Sequence, residues 1–280
     1  MNRLIGYGYP FDYRHSSCSN RNPKSFIWDI PKQGEQIQKL VLIDNAIMQF
    51  QSLPPIPELY GWVCESRSIV NEMCSFIVWN TEHLKRVFKK IFVSDKDLLS
   101  ISSLFEYCPN GSNLPWVPEE KYGIYAKTKL ASMIASPKTY TRGHKIRHKY
   151  AEKFKDHIDL FGGACGSPRL RNSSAIISDF SAPWHSKLDG VVDYMFHIVV
   201  ENDFYDNYYT EKVTDCFATG TIPVYLGSPT IGEDFNMDGI IQLNDEFDIK
   251  SLTPELYMSK MNAIQDNFER VKQLRMADDI

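Results

Sequence analysis

Thr210, Glu211 and Lys212 follow an apolar run over 194–202 and a stretch, 203–209, of mostly aromatic and acidic residues. They stand where a helix running to Gly220 is expected to begin. A helix start exposes unpaired N–H groups and the positive end of the helix dipole, so it attracts anions, and Lys212 adds a full charge to it. A loop leading from the carboxyl end of a parallel strand into a helix N-terminus is also where open α/β sheets bind ligands. The chemistry this permits is retention of a nucleotide diphosphate, with Lys212 on phosphate, Glu211 accepting from a ribose diol and Tyr208 lying against the sugar or base. The same residues also make an ordinary capped helix start, since Thr is a good N-cap and a carboxylate in the first turn is stabilising.

Strands and helices must bring such residues together. An expected strand over 39–48 precedes the proline-rich SLPPIPELYG, which cannot be helix interior. Strand-like WVCE (62–65), the apolar run 74–80, a basic amphipathic helix over 81–90 and a strand over 91–95 follow. Residues 106–128, rich in Pro, Gly and polar side chains, are expected to link two halves. A second series is then predicted: strand 129–136, a helix around His144–His157, strand IDLFGG, strand 194–202, the helix to Gly220, strand TIPVYLG and strand 239–244. A last helix over 254–276 carries Leu256, Met261, Ile264, Phe268, Val271 and Leu274 at near-helical spacing. Apolar strands alternating with helices make the fold class α/β with mainly parallel sheets. The expected domains are 1–126 and 127–280, with the last helix packing back on the junction.

A hydrophobic fraction of 43% with 13% aromatic residues excludes a disordered chain, and a formal charge of −4 gives no reason to expect nucleic acid or an anionic membrane as partner. No stretch approaches about 18 consecutive apolar residues and no signal-peptide core is visible, so a soluble, cytoplasmic protein without membrane insertion is expected. The cysteines lack C-x-x-C spacing and read as reduced thiols rather than a disulfide framework or zinc site, which leaves the sequons at Asn110 and Asn172 without meaning.

Phe196, Glu201, Asn202, Tyr208, Thr210, Glu211, Lys212, Gly220, Thr221, Pro223, Val224 and Gly227 stand in an order that resembles the donor-domain signature of glycosyltransferase family 10, the α1,3/α1,4-fucosyltransferases. Asp203 replaces the serine usual in that signature. The resemblance extends to KLASMIASPKTYTRGHKIRHKYAEKF, similar to the family's strand and basic helix from which an arginine reaches the donor diphosphate. It implies Arg147 for that role, with Arg142 as the alternative. It also implies a general base on Glu65 in GWVCESRSI, although the residues after Ser66 depart from the family's usual pattern. The fold it implies is GT-B-like, two Rossmann-like domains facing across a cleft, with an acceptor half carrying the base and a nucleotide-sugar half. The activity it implies is inverting transfer of a sugar to a glycan hydroxyl. Glu201, Asn202, Tyr208, Glu211 and Lys212 then join Arg147 or Arg142 in holding the donor, without a required cofactor.

The resemblance implies GDP-fucose as donor. The chain is also similar to soluble bacterial and large-virus members, some of which build algal-virus capsid glycans, and for these UDP-xylose is the alternative donor; host cytoplasm would then be the location. Other readings compete. Asp95 and Asp97 form an Asp-x-Asp after a strand, an arrangement that can hold a metal beneath a diphosphate, or simply cap a loop. His144 and His148 lie one helical turn apart, as zinc ligands can. Trp62, Trp79, Trp116 and Trp184 could stack on sugars or pack in the core, and His185 is a looser candidate for the donor. A non-catalytic glycan-binding module is the reading from another functional class.

Overall fold

A computed structural model describes residues 2–8, 17, 22–166 and 183–279. The chain divides into two compact units: Met1–Asn113 with Asp206–Tyr208 and Arg275–Ile280, and Leu114–Tyr205 with Tyr209–Leu274. The first break thus falls after Asn113 rather than at 126. It does so because Leu114 and Val117 are already buried and the Val117 N–H donates to Asp215 of the second unit at 2.9 Å.

The first unit is built on a parallel sheet of β1 (Asn2–Tyr7), β2 (Phe26–Asp29), β3 (Lys39–Ile43), β4 (Glu58–Trp62), β5 (Lys90–Val93) and β6 (Phe105–Tyr107), in the order β2-β1-β3-β4-β5-β6. Its helices are α1 (Asn71–Trp79), α2 (Thr81–Leu84) and α3 (Lys96–Ile101). Alternation along β3 sends Leu40 and Leu42 into a core with Ile47, Met73, Ile77 and Ile91, while Val41 and Ile43 face a second layer containing Trp28, Trp62 and Ala277. The strand expected over 39–48 stops at Ile43 because Asp44 adopts a left-handed conformation, φ 49°, and a 3-10 helix runs on to Ser52. The expected helix over 81–90 is helical only to Leu84. Strands β1 and β2 were not among the strands expected, being only six and four residues long.

The second unit holds a parallel sheet of β7 (Lys129–Ile134), β8 (Asp159–Phe161), β9 (Tyr194–Val200), β10 (Ile222–Leu226) and β11 (Ile241–Gln242), ordered β11-β10-β9-β7-β8. Its helices are α4 (Arg142–Phe154), α5 (Pro183–Val191), α6 (Glu211–Thr219), α7 (Ile231–Asp234), α8 (Pro254–Ser259) and α9 (Met261–Lys272). Phe196, Ile198 and Val200 of central β9 pack with Met133, Ile222 and Val224 on one face, and Val199 joins Val213, Phe217 and Tyr225 on the other. The single helix expected over 254–276 is broken between Ser259 and Met261, where Lys260 leaves the helical region at φ −102°, ψ 10°. No helix among the described residues is long and apolar enough to cross a membrane.

Candidate active site

In the second unit, two helices begin beside the carboxyl end of β9. Thr141 caps α4: its hydroxyl accepts from the His144 N–H at 3.0 Å, and the His144 ring accepts from the Thr141 N–H at 3.2 Å. Gly143 lies against the strand end, donating its N–H to the Asn202 carbonyl at 3.2 Å, and a side chain there would overlap the Glu201 carbonyl oxygen. This close approach carries Arg147, one turn on, under the strand terminus. Its guanidinium donates to the Val200 carbonyl at 3.1 and 2.6 Å and to Asn202 Oδ1 at 3.1 Å. Arg142 is exposed, its guanidinium 5.4 Å from the centre of the Phe204 ring.

Helix α6 starts as the sequence led one to expect, with Thr210 as N-cap, and ends at Gly220 in the left-handed conformation, φ 69°. The cap is braced from below. Glu201 is 0% exposed, and its two oxygens accept from the Thr210 N–H at 2.9 Å and hydroxyl at 2.7 Å. Lys212 Nζ lies 3.5 Å from Glu201, 3.4 Å from Glu211 and 2.9 Å from the Thr210 hydroxyl. Glu201 was expected among the donor-binding residues; its burial places it beneath the helix start, where it orients Thr210 and offsets Lys212. Burial alone would raise the Glu211 carboxyl, but Lys187 and Lys212 outweigh it and hold the group down to about 2.

Lys187 is a member of this cluster that the sequence did not reveal. Its ammonium lies 2.8 Å from Asp215 and 3.3 Å from Glu211, over the Trp116 ring at 4.5 Å. Burial pushes the Lys187 ammonium down, but Asp215 and Glu211 carry it above the usual lysine value, so it stays charged. A lysine upstream on another helix has no local pattern to mark it. His144 registers the same charge distribution: burial, then Arg147, Lys138, Lys212 and His148, push its ring down to about 4, so it is neutral near pH 7.

Several expectations fall elsewhere. Tyr208 is 1% exposed and packs with the first unit, where its neighbour Asp206 pairs with Lys96 at 3.6 Å. Asp95 caps α3, and Arg67 grips both Asp95 and Asp97, so the Asp-x-Asp is a cap held by a guanidinium. His144 and His148 are engaged by Thr141 and the Ser136 carbonyl. No group of His, Cys, Asp and Glu suited to a metal ion occurs among the described residues. Trp62 is core, stacked on Trp28 at 6.1 Å, whereas Trp79 is 84% exposed. The side chains of Trp184 and His185, together with Cys18 and Asn172, lie outside the described residues.

Glu65 belongs to the first unit, half-buried in the loop after β4. Its own N–H and that of Cys64 donate to Asp44 Oδ1 at 3.2 and 2.8 Å. Asn110 Nδ2 donates to the Cys64 carbonyl, and Arg67 is tied to Asp95, so the peptide on either side of Glu65 is fixed. A half-exposed carboxylate on a rigid loop can accept a proton from a hydroxyl.

The family model described as glycosyltransferase family 10 (fucosyltransferase) C-term matches residues 124–273, more than half of the chain. The chain belongs to glycosyltransferase family 10. The match covers Arg142, Arg147, Glu201 and the start of α6, and leaves Glu65 outside. An alpha-(1,3)-fucosyltransferase B of Drosophila melanogaster is 26% identical over 215 residues, 68% of this chain and 46% of that protein. The alpha-(1,3)-fucosyltransferase FucT of Helicobacter pylori is 35% identical over 60 residues, 21% of this chain and 13% of that one. A putative fucosyltransferase of Acanthamoeba polyphaga mimivirus is 28% identical over 88 residues, 31% and 15% of the two chains. The chain therefore spans less than half the length of these curated relatives. The crystal structure of an alpha1,3-fucosyltransferase with GDP superposes with a TM-score of 0.54 at 13% identity, covering 100% of this chain and 93% of that one. The corresponding structure with GDP-fucose gives 0.52 at 13% identity, covering 96% and 81%. The fold is GT-B-like, two Rossmann-like α/β units.

Proposed function

We propose that the protein transfers fucose from GDP-fucose to a hydroxyl of a glycan, with inversion at the anomeric carbon. The observation that carries this reading is the start of two helices beside the end of β9, with Lys212 on the first turn of α6 and Arg147 on the second turn of α4. Arginine's planar fork suits two phosphate oxygens at once, and both cations offset charge that grows on the diphosphate as the leaving group departs. Glu211, ionised beside Lys187 and Lys212, is suited to accept from a ribose diol. Asn202 fixes the Arg147 guanidinium. Glu65 takes the proton of the acceptor hydroxyl as the new bond to the anomeric carbon forms.

The choice of guanine nucleotide and fucose is supported by the solved relatives, which carry GDP and GDP-fucose. No feature of the site favours UDP-xylose, which serves as the competing ligand in the test. A thermal-shift panel compares GDP, GDP-fucose, UDP and UDP-xylose. A ligand at a hundred times its Kd stabilises the folded state by about 2.7 kcal/mol. GDP and GDP-fucose are expected to raise the melting temperature and the uridine nucleotides to leave it unchanged; preference for UDP-xylose, or no shift with any of the four, overturns the reading. Glu65→Gln separates an enzyme from a binding module, because an enzyme keeps its GDP shift and loses turnover.

A further inference from the structure

The carboxyl of Asp44 is not explained by the role assigned to the loop it supports. It closes β3 in a left-handed conformation, φ 49°, that few non-glycine residues adopt. At 4% exposure it is enclosed, yet it is not an ion-pair partner among the described residues. One oxygen accepts from the N–H groups of Cys64 and Glu65, and the other, Oδ2, is buried and meets no hydrogen-bonding partner among the described residues. A structural carboxylate in a core ordinarily has a cation or a full set of donors, so a half-satisfied one beside another carboxylate calls for a reason. Adjacent parallel strands supply the geometry. Ile43 of β3 is paired with Trp62 of β4, so the residues just past the two strand ends, Asp44 and Cys64–Glu65, meet at the carboxyl edge of the sheet.

We propose that Asp44 is a positioning residue for Glu65, fixing the peptide that presents the base. The inference rests on the reading of Glu65 as the base. Burial, and next the Glu65 charge, push the Asp44 carboxyl up to about 8 against the bonds from the Glu65 and Cys64 N–H groups. Near pH 7 Asp44 therefore keeps its proton. The thiol of Cys64, the residue whose N–H donates to Asp44, is itself raised by burial and then by Asp44, by Asp278 of the C-terminal segment, by Cys108 after β6 and by Glu65.

The test has a stability arm and a rate arm. An acid whose folded value lies above its unfolded value near 4 loses its contribution to stability as pH rises, and the loss levels off at the folded value. The stability difference between wild type and Asp44→Asn is therefore expected to decline with pH and level off near pH 8. In the Glu65→Gln background it should level off at a lower pH, because the like charge is gone. The rate arm follows hydrolysis of GDP-fucose, which needs no acceptor. Asp44→Ala is expected to lower kcat by about ten- to hundredfold with KM for GDP-fucose unchanged, and Asp44→Asn, which keeps an oxygen for the two N–H groups, to recover most of that loss. Identical levelling-off in the two backgrounds, or a wild-type rate for Asp44→Ala, overturns the positioning role. If Glu65→Gln itself hydrolyses GDP-fucose at the wild-type rate, the base assignment falls and the positioning role with it, whereas a loss with Glu65→Gln but not with Asp44→Ala overturns the positioning role alone.

Discussion

Arg147 joins two tasks in one guanidinium, holding the end of β9 through Val200 and Asn202 while lying one turn into the helix at whose start phosphate is expected. Arg147→Lys keeps the charge and loses the fork, so GDP affinity measured by calorimetry should fall by about tenfold or more, and the melting temperature should fall with it. His144 makes a second residue-scale prediction. Its folded value near 4 lies below the ordinary histidine value, so the unfolded chain takes up the proton first as the solution is acidified. Stability should be fully retained above about pH 6.5 and fall as the pH drops toward 4, and His144→Asn should flatten that decline in a pH series of urea unfolding curves. Residues with local signals were readable from sequence: Thr210, Glu211 and Lys212 announce a helix start by their order alone. Lys187 and Asp44 were not, because their importance comes from partners 24 to 28 residues away in one case and 20 to 21 in the other, and nothing in a neighbouring residue betrays such a meeting.

At the scale of elements, α4 and α6 are placed by backbone contacts that tolerate little. Gly143→Ala must displace either the first turn of α4 or the Glu201 carbonyl. It is expected to cost about 1–3 kcal/mol of stability and to abolish the GDP-induced thermal shift, since Arg147 moves with that turn. Thr210→Val removes the N-cap and leaves Glu201 without its hydroxyl donor, and chemical denaturation should show a loss of about 1–2 kcal/mol. Gly220→Ala would meet Ile124 Cγ2 at 2.8 Å as well as a left-handed backbone. The parallel strands of the second unit could be read as apolar runs bounded by turn residues, and α4 and α6 as segments between them, whereas α5 and α7 were not anticipated. Lengths were harder: β3 ends at Asp44 because of one backbone angle, which a pattern of apolar residues running on through Ala46 and Ile47 does not disclose.

For the molecule as a whole, each unit has its own core, so two unfolding transitions are expected in calorimetry, and GDP should raise only the one belonging to the second unit. The segment Arg275–Ile280 belongs to the first unit although it follows α9 in the chain. Asp278 accepts from the Ser17 N–H at 3.1 Å and from Trp28 Nε1 at 2.6 Å, the Arg275 carbonyl accepts from Asn113 at 3.1 Å, and Ala277 enters the layer around Trp28 and Trp62. Asp278→Ala should lower the first unit's transition and leave the other in place. This return has a bearing on synthesis. Proteins emerging from a ribosome generally finish their amino-terminal portion first. Here the portion made first still lacks a piece of its interior when the one made second has all of its own, so the nascent chain must complete its halves in the reverse of the order in which it was translated.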